Sequence, residues 1–369
     1  MSFSSNSYPT NTTVTASTYS WQVLEANTVM TVMDRYIQII LYIFGVCGSL
    51  LNVFTFLQKQ LRSNPCSMYF LAASSCDFCI CNLFILLTII AYFDRQDYNR
   101  FVRTAFYCKF GSYTTFLFQC LSSIYICLAS IDRYCTSSPH SKLRKLSSVK
   151  VSRLLIPSVF LLWALFSLHI PLSYDLRRYT PTSTNLQCTI QQNVSTFFVI
   201  IDGYFFALLN GAIIPFFLAL FGLLIIRNIR HSRHRATAPQ RTSINTGTGG
   251  RSTGTSTLST TRPISRANQH LITMLLVQVS LTICLNLPYI VFYLNGIYNQ
   301  VTVTVAYIVF KVMSNWFYYL NYCKTFYVNT LASQLFRSTL KQQLLFLLQK
   351  SKTKLVTAWS ITPGGSARY

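Results

Sequence analysis

The chain has 369 residues, is 51% hydrophobic and 15% aromatic, and is only 11% charged, yet its net charge is +23. Such a composition excludes an ordinary soluble domain of this length, and no soluble basic domain exists to read nucleic acid. The charge lies between long apolar runs, which is the pattern of an integral membrane protein.

Residues 1–35 are rich in Ser, Thr and Asn and lack the basic-then-apolar profile of a cleaved signal peptide, so they read as an extracellular tail. The first span, 36–58, then serves as signal anchor, and 66–93 forms the second. The third is the uncharged run from Phe110 to Ile131, 22 residues long and about enough helix for roughly 30 Å of hydrocarbon. Cys108 precedes it and Asp132-Arg133-Tyr134 closes it. The fourth, 154–172, is short and interrupted by Pro157, but contains Trp163 in an apolar setting. The fifth and sixth cover 196–226 and 271–294. Between them, 228–268 is a low-complexity run of Arg, Ser, Thr and Gly, expected to be disordered in the cytosol. A seventh span covers 301–323, and 333–369 reads as an amphipathic helix and cytosolic tail. Backbone groups in lipid must be satisfied internally, so these spans are helices rather than barrel strands. The expected fold is an all-α membrane protein, a seven-transmembrane-helix bundle over 36–332 with a short amphipathic eighth helix.

Basic residues set the orientation. With the N-terminus outside, 22 of the 31 Lys and Arg residues fall on inner segments and seven on outer ones. The C-terminus is then cytoplasmic, and the positive charge faces anionic inner-leaflet lipid and cytosolic partners. The sequons at Asn11 and Asn193 both fall outside, where glycosylation takes place.

Of the twelve cysteines, ten lie within spans or at the inner face, where Cys is usually a small hydrophobe. Cys108 and Cys188 reach the oxidising side and are expected to pair, pinning the loop 173–195 to the top of the third helix. Ionisable groups inside the membrane default to function. Asp77 stands alone in the second span, where a carboxylate needs a cation or a proton. Asn52, Ser122, Asn321 and Thr325 can meet it within a bundle. Asp202 lies near the outer end of the fifth span. The plainer alternatives are an interface pair for Asp132 and Arg133, with the Arg snorkelling to phosphate, and interhelical hydrogen bonding for Asn52 and Asn321.

Read together, these positions resemble the rhodopsin-like (class A) G-protein-coupled receptors. The motifs are Gly48-Ser49-Leu50-Leu51-Asn52 in the first helix, Leu71-Ala72-Ala73-Ser74-Ser75-Cys76-Asp77 in the second, and the interval from Cys108 to Arg133 in the third. Trp163, Pro215 and Pro288 take the landmark positions of the fourth to sixth helices, and Ser333-Gln334-Leu335-Phe336-Arg337 resembles the start of the eighth. The resemblance implies a receptor rather than an enzyme, with Asp132, Arg133, Tyr134, Asn286 and Pro288 as coupling and switch residues. It also implies a sodium or polar pocket of Asn52, Asp77, Ser122, Asn321 and Thr325, with no cofactor beyond an allosteric sodium ion and no other metal. Its implied partners are an extracellular ligand, a heterotrimeric G protein, arrestin, a receptor kinase and the plasma-membrane bilayer.

The chain departs from the pattern at Asn286, where a switch Trp is usual, and at Thr325-Phe326-Tyr327-Val328-Asn329, where Asn-Pro-x-x-Tyr is expected. Leu223 and Asn268 replace a Tyr and an acid. Similar losses make the chain loosely similar to invertebrate peptide receptors. Thr115 stands where amine receptors carry an Asp, which disfavours a biogenic amine. No Lys occupies the retinal-attachment position. The aromatic and basic outer residues, with Thr115, Arg177, Arg178, Tyr289, Tyr293 and Lys311 as the chosen set, suit a peptide such as a neuropeptide. A decoy seven-helix receptor is the nearest rival. A transporter would show internal repeats, and an enzyme would need clustered polar groups around His169, the single His of the bundle.

Overall fold

The computed structural model describes residues 21–93, 104–178, 186–190, 205–237, 266–298 and 303–360. The sequons Asn11 and Asn193, Asp202 and most of the loop 228–268 lie outside them.

Six helices among these residues are long and apolar enough to cross a bilayer: Trp21–Phe56, Pro65–Ile90, Ala105–Ser137, Val149–Ser173, Leu209–Arg230 and Ile272–Asn295. Val305–Cys323 packs between the first and sixth of them and closes a ring of seven. Lys311, Asn315 and Asn321 make it less apolar than the others, and protein on both sides compensates.

Several helices start on a side-chain cap. Asn64, Thr104, Ser148 and Thr304 each accept a hydrogen bond from a backbone N–H in the following turn, of Cys66, Tyr107, Val151 and Tyr307 respectively. Such caps satisfy donors that the helix itself leaves unpaired, and each is worth about 1 kcal/mol. The second helix passes through a π-helical turn at Cys81–Ile85, and the fifth has another at Leu209–Ile213. The latter lies just before Pro215, which lacks the N–H of a regular helical bond.

The third helix is the axis of the bundle. In its most apolar stretch 72% of residues are buried, against 11% in the fourth, which lies at the periphery. Leu154, Leu161, Leu162 and Leu165 of the fourth helix point outward, as lipid-facing residues do. The first, second and seventh helices meet closely at Gly45. A Cβ there would stand 2.6 Å from Cys81 Sγ and 2.8 Å from Cys323 Sγ, so glycine permits the approach.

Three features differ from the sequence expectation. The first helix begins at Trp21, well ahead of 36. Its polar N-terminal residues defeat a hydropathy reading, but Asp34 and Arg35 have protein partners. Asp34 accepts hydrogen bonds from Tyr92, from Trp316 Nε1 at 2.5 Å and from Gln38 Nε2 at 3.3 Å. The Arg35 guanidinium lies over the rings of Tyr92 and Phe93, 5.8 and 5.6 Å from their centroids. Second, the all-α bundle carries one antiparallel hairpin, Tyr174–Arg178 with Leu186–Ile190, in register Leu176 opposite Cys188. Third, the eighth helix is not short: Gln334–Ser360 has 27 residues. Phe336 anchors it, with its ring 5.3 Å from that of Phe56 and 6.0 Å from that of Phe326. Gln343 Nε2 also donates to the Phe54 carbonyl at 3.0 Å.

Candidate functional site

One end of the bundle is organised by the hairpin. Cys108, near the start of the third helix, is joined to Cys188 by a disulfide, with the two Cα atoms 5.4 Å apart. The strands are thereby held over the helix top. The backbones of Arg177 and Arg178 lie in the first strand, while their side chains fall outside the described residues.

Below that roof the sixth and seventh helices present a tyrosine cluster. Tyr289, buried, stacks on Tyr318 with centroids 4.2 Å apart, and Tyr293 lies 6.2 Å from Tyr289. Tyr322 Oη donates to Tyr318 Oη at 2.9 Å. Thr115 is buried on the third helix and Lys311 is half-buried on the seventh. Asn286, one turn below Tyr289, is buried, with its Oδ1 unpartnered among the described residues. Of the expected ligand-facing residues, the structure brings Tyr289 and Tyr293 together directly. Tyr318 and Tyr322 complete the cluster and were not foreseen.

At mid-bundle Asp77 is 1% exposed. Its Oδ1 accepts from Ser122 Oγ at 2.6 Å and its Oδ2 from Thr325 Oγ1 at 3.1 Å. Thr325 Oγ1 in turn accepts from Gln278 Nε2 at 3.2 Å. These contacts tie the second, third, sixth and seventh helices together. The remaining expected members face elsewhere. Asn52 Oδ1 accepts from Asn329 Nδ2 at 3.2 Å, and Asn321 receives the ammonium of Lys324. Among the described residues no group of three or more His, Cys, Asp or Glu side chains could hold a metal ion.

At the end of the bundle opposite the hairpin, Arg133 is enclosed by protein with 1% exposure, rather than reaching out to a lipid headgroup. Its Nε and Nη2 donate to Asp132 Oδ2 at 3.2 and 2.6 Å, and Nη2 also donates to Asn64 Oδ1 at 2.8 Å. Ser147 Oγ donates to the other Asp132 oxygen at 2.7 Å and pairs with Thr136 Oγ1 at 2.8 Å. Tyr134 stands apart, its ring 5.7 Å from Phe221 of the fifth helix. The side chain of Asn268 lies outside the described residues. Pro288 sits inside an unbroken helix, Arg266–Tyr298.

Asn64 was legible only as a residue before proline, and Ser147 only as part of a polar loop. Lys324 borders the seventh span, 301–323, and its burial was not anticipated.

No curated protein matches the chain. A family model described as 7 transmembrane receptor (rhodopsin family) matches residues 48–324. That stretch runs from the first-helix glycine through the bundle to the seventh helix, and it contains the disulfide, Asp77 with Ser122, and the Arg133 clasp. The chain therefore belongs to the rhodopsin family of seven-transmembrane receptors, multi-pass proteins of the membrane.

Proposed function

We propose that this receptor sits in the plasma membrane with its N-terminus outside, binds an extracellular peptide at the tyrosine-lined mouth, and activates a heterotrimeric G protein. One observation carries the reading: Arg133 is charged, buried and held by the adjacent acid and by Asn64, at the end of the bundle that the excess of basic residues assigns to the cytosol. A buried Arg at a protein-binding face is a switch when opening it exposes a cationic donor to an incoming partner.

Agonist contacts at the mouth would favour a state in which the inner half of the sixth helix swings away from the third. Pro288, which removes one helical hydrogen bond, is the weak point about which it moves. The ligand supplies the bias by its differential affinity for the two states. Arrestin and a receptor kinase would then meet the same exposed face. The test is ligand-stimulated nucleotide exchange on co-expressed G proteins, with a peptide library read by calcium or cAMP. A peptide that stimulates exchange in the native chain, but not in Arg133→Ala expressed at equal surface density, is expected.

A second reading has its own support. Asn329, fully buried and bonded to Asn52, ties the seventh helix to the first where the family carries a Tyr. A seventh helix so fastened suits a decoy that binds ligand without signalling. Saturable peptide binding with no exchange on any G protein would favour it.

A further inference from the structure

We propose that Ser147 is a phosphorylation site for a cytosolic serine kinase that reads basic residues, and that its phosphate unlatches the loop between the third and fourth helices from the third helix. The cytosolic part rests on the orientation proposed above; the site and the latch do not.

The sequence around the serine comes first. Arg144-Lys145-Leu146-Ser147 sets basic residues three and two places ahead of a hydroxyl, the charge pattern that basophilic kinases bind in acidic pockets. The chain has this pattern twice, the other copy being Arg177-Arg178-Tyr179-Thr180 in the loop that the disulfide closes. Arg144, Lys145 and Leu146 are all exposed. Ser147 is half-buried and follows the helix Ser141–Leu146, whose 6 residues are too few to hold together alone. Opening such a turn into a kinase cleft therefore costs little.

The contacts of the hydroxyl supply the consequence. Ser147 Oγ donates to Asp132 Oδ1 at 2.7 Å and pairs with Thr136 Oγ1 at 2.8 Å. Both partners belong to the third helix, so this oxygen latches the loop to it. Asp132 holds Arg133 with its other oxygen, so latch and clasp share one carboxylate. The neighbouring Ser148 is differently engaged: its Oγ accepts from the Val151 N–H at 3.3 Å and caps the fourth helix.

In the transfer, the γ-phosphoryl group of ATP passes to Ser147 Oγ. A new O–P bond forms there, the bond to ADP breaks, and the hydroxyl proton leaves to the kinase's base. No hydrogen then remains on Oγ to donate to Asp132. The phosphate carries a charge of about −1.5 to −2 at pH 7, and placed beside a carboxylate it is repelled. Arg144, Lys145 and Lys150 offer it partners on the loop itself, where residues 135–150 contain no Asp or Glu. The loop swings off the third helix, while Asp132 keeps Arg133.

The test uses purified full-length receptor in detergent micelles, with ATP and the catalytic subunit of cyclic-AMP-dependent kinase, and phosphate mapped by peptide mass spectrometry. Ser147 should be labelled. Arg144→Gln/Lys145→Gln, which leaves the hydroxyl and its partners in place, should lower that labelling by about tenfold or more. The labelled protein should exchange backbone hydrogen faster over residues 138–148 than the unlabelled one. Phosphate on Ser148 or within 228–268, with none on Ser147, would overturn the proposal. Labelled Ser147 with unchanged exchange over 138–148 would overturn the latch. In forskolin-treated cells Ser147, and not Thr180, should carry phosphate. Labelling of Ser147 in micelles but of Thr180 in cells would overturn the orientation, and the cytosolic kinase with it, while leaving the latch standing.

Discussion

Arg133 is gripped by groups from two directions, and the two are not equivalent. Asp132 travels with it on the same helix, whereas Asn64 belongs to the cap of the second helix. A motion that separates the second and third helices, or that admits a partner between them, breaks the Asn64 bond first. A hydrogen bond to a charged group is worth about 1.5–3 kcal/mol, and each 1.4 kcal/mol is about tenfold in a two-state equilibrium. Asn64→Ala should therefore raise agonist-free nucleotide exchange by roughly tenfold. Asn64→Ser, which can still cap Cys66 but is too short to reach the guanidinium, should raise it similarly while losing less stability. Unchanged exchange in both would show that the clasp is structural. The Asp-Arg-Tyr triplet itself was legible because its residues are neighbours in sequence. Asn64 and Ser147 were not, because only the packing of the second helix and the inner loop against the third brings them within reach of Arg133 and Asp132. Asp77 with Ser122 and Thr325 could be anticipated from the resemblance.

At the scale of elements, hydropathy located the helices but not their ends. Apolar windows see the hydrocarbon-crossing part of a helix and stop at the first polar cluster, which is why the expected span starts at 36 and omits Trp21–Arg35. That extension is held by Asp34, whose oxygens collect donors from the second and seventh helices. Asp34→Ala should leave Tyr92, Trp316 and Gln38 without a shared acceptor and cost about 1–3 kcal/mol. The loss should appear as a lower Tm and as faster hydrogen exchange confined to the outer first helix. Uniform exchange throughout the bundle would show that Asp34 acts on the fold as a whole. The hairpin was invisible for a different reason: five-residue strands in a loop produce no apolar period of their own, and they depend on the disulfide and on each other. The loop that the Cys108–Cys188 bond closes spans 80 residues in sequence. Removing a bond of that kind typically costs about 2–5 kcal/mol. Cys108→Ser should lower surface expression and binding of the proposed peptide ligand, with Cys188→Ser giving the same defect and the double variant no more. A double variant markedly worse than either single would mean that each thiol also acts separately.

For the whole molecule, the decisive link runs from charge to direction. The helices form the same bundle whichever way it is inserted, so packing cannot say which end meets the cytosol. Lys and Arg can, because they resist translocation and are drawn to anionic lipid on the inner side. The inner segments of the proposed orientation carry three times the basic residues of the outer ones. The seventh helix makes this orientation consequential. It is the least apolar of the spans and depends on the first and sixth for cover, yet it makes the number odd and sends the two termini to opposite sides. An epitope placed before Trp21 should be labelled on intact cells, and one placed after Ser360 only after permeabilisation. Asn11→Gln and Asn193→Gln should each increase gel mobility by one glycan, and the double variant should match glycosidase-treated native protein. Labelling of the C-terminal epitope on intact cells would invert the chain. Arg133 and Asn64 would then face the outside, where no G protein waits, and the clasp would have to be explained by an extracellular partner.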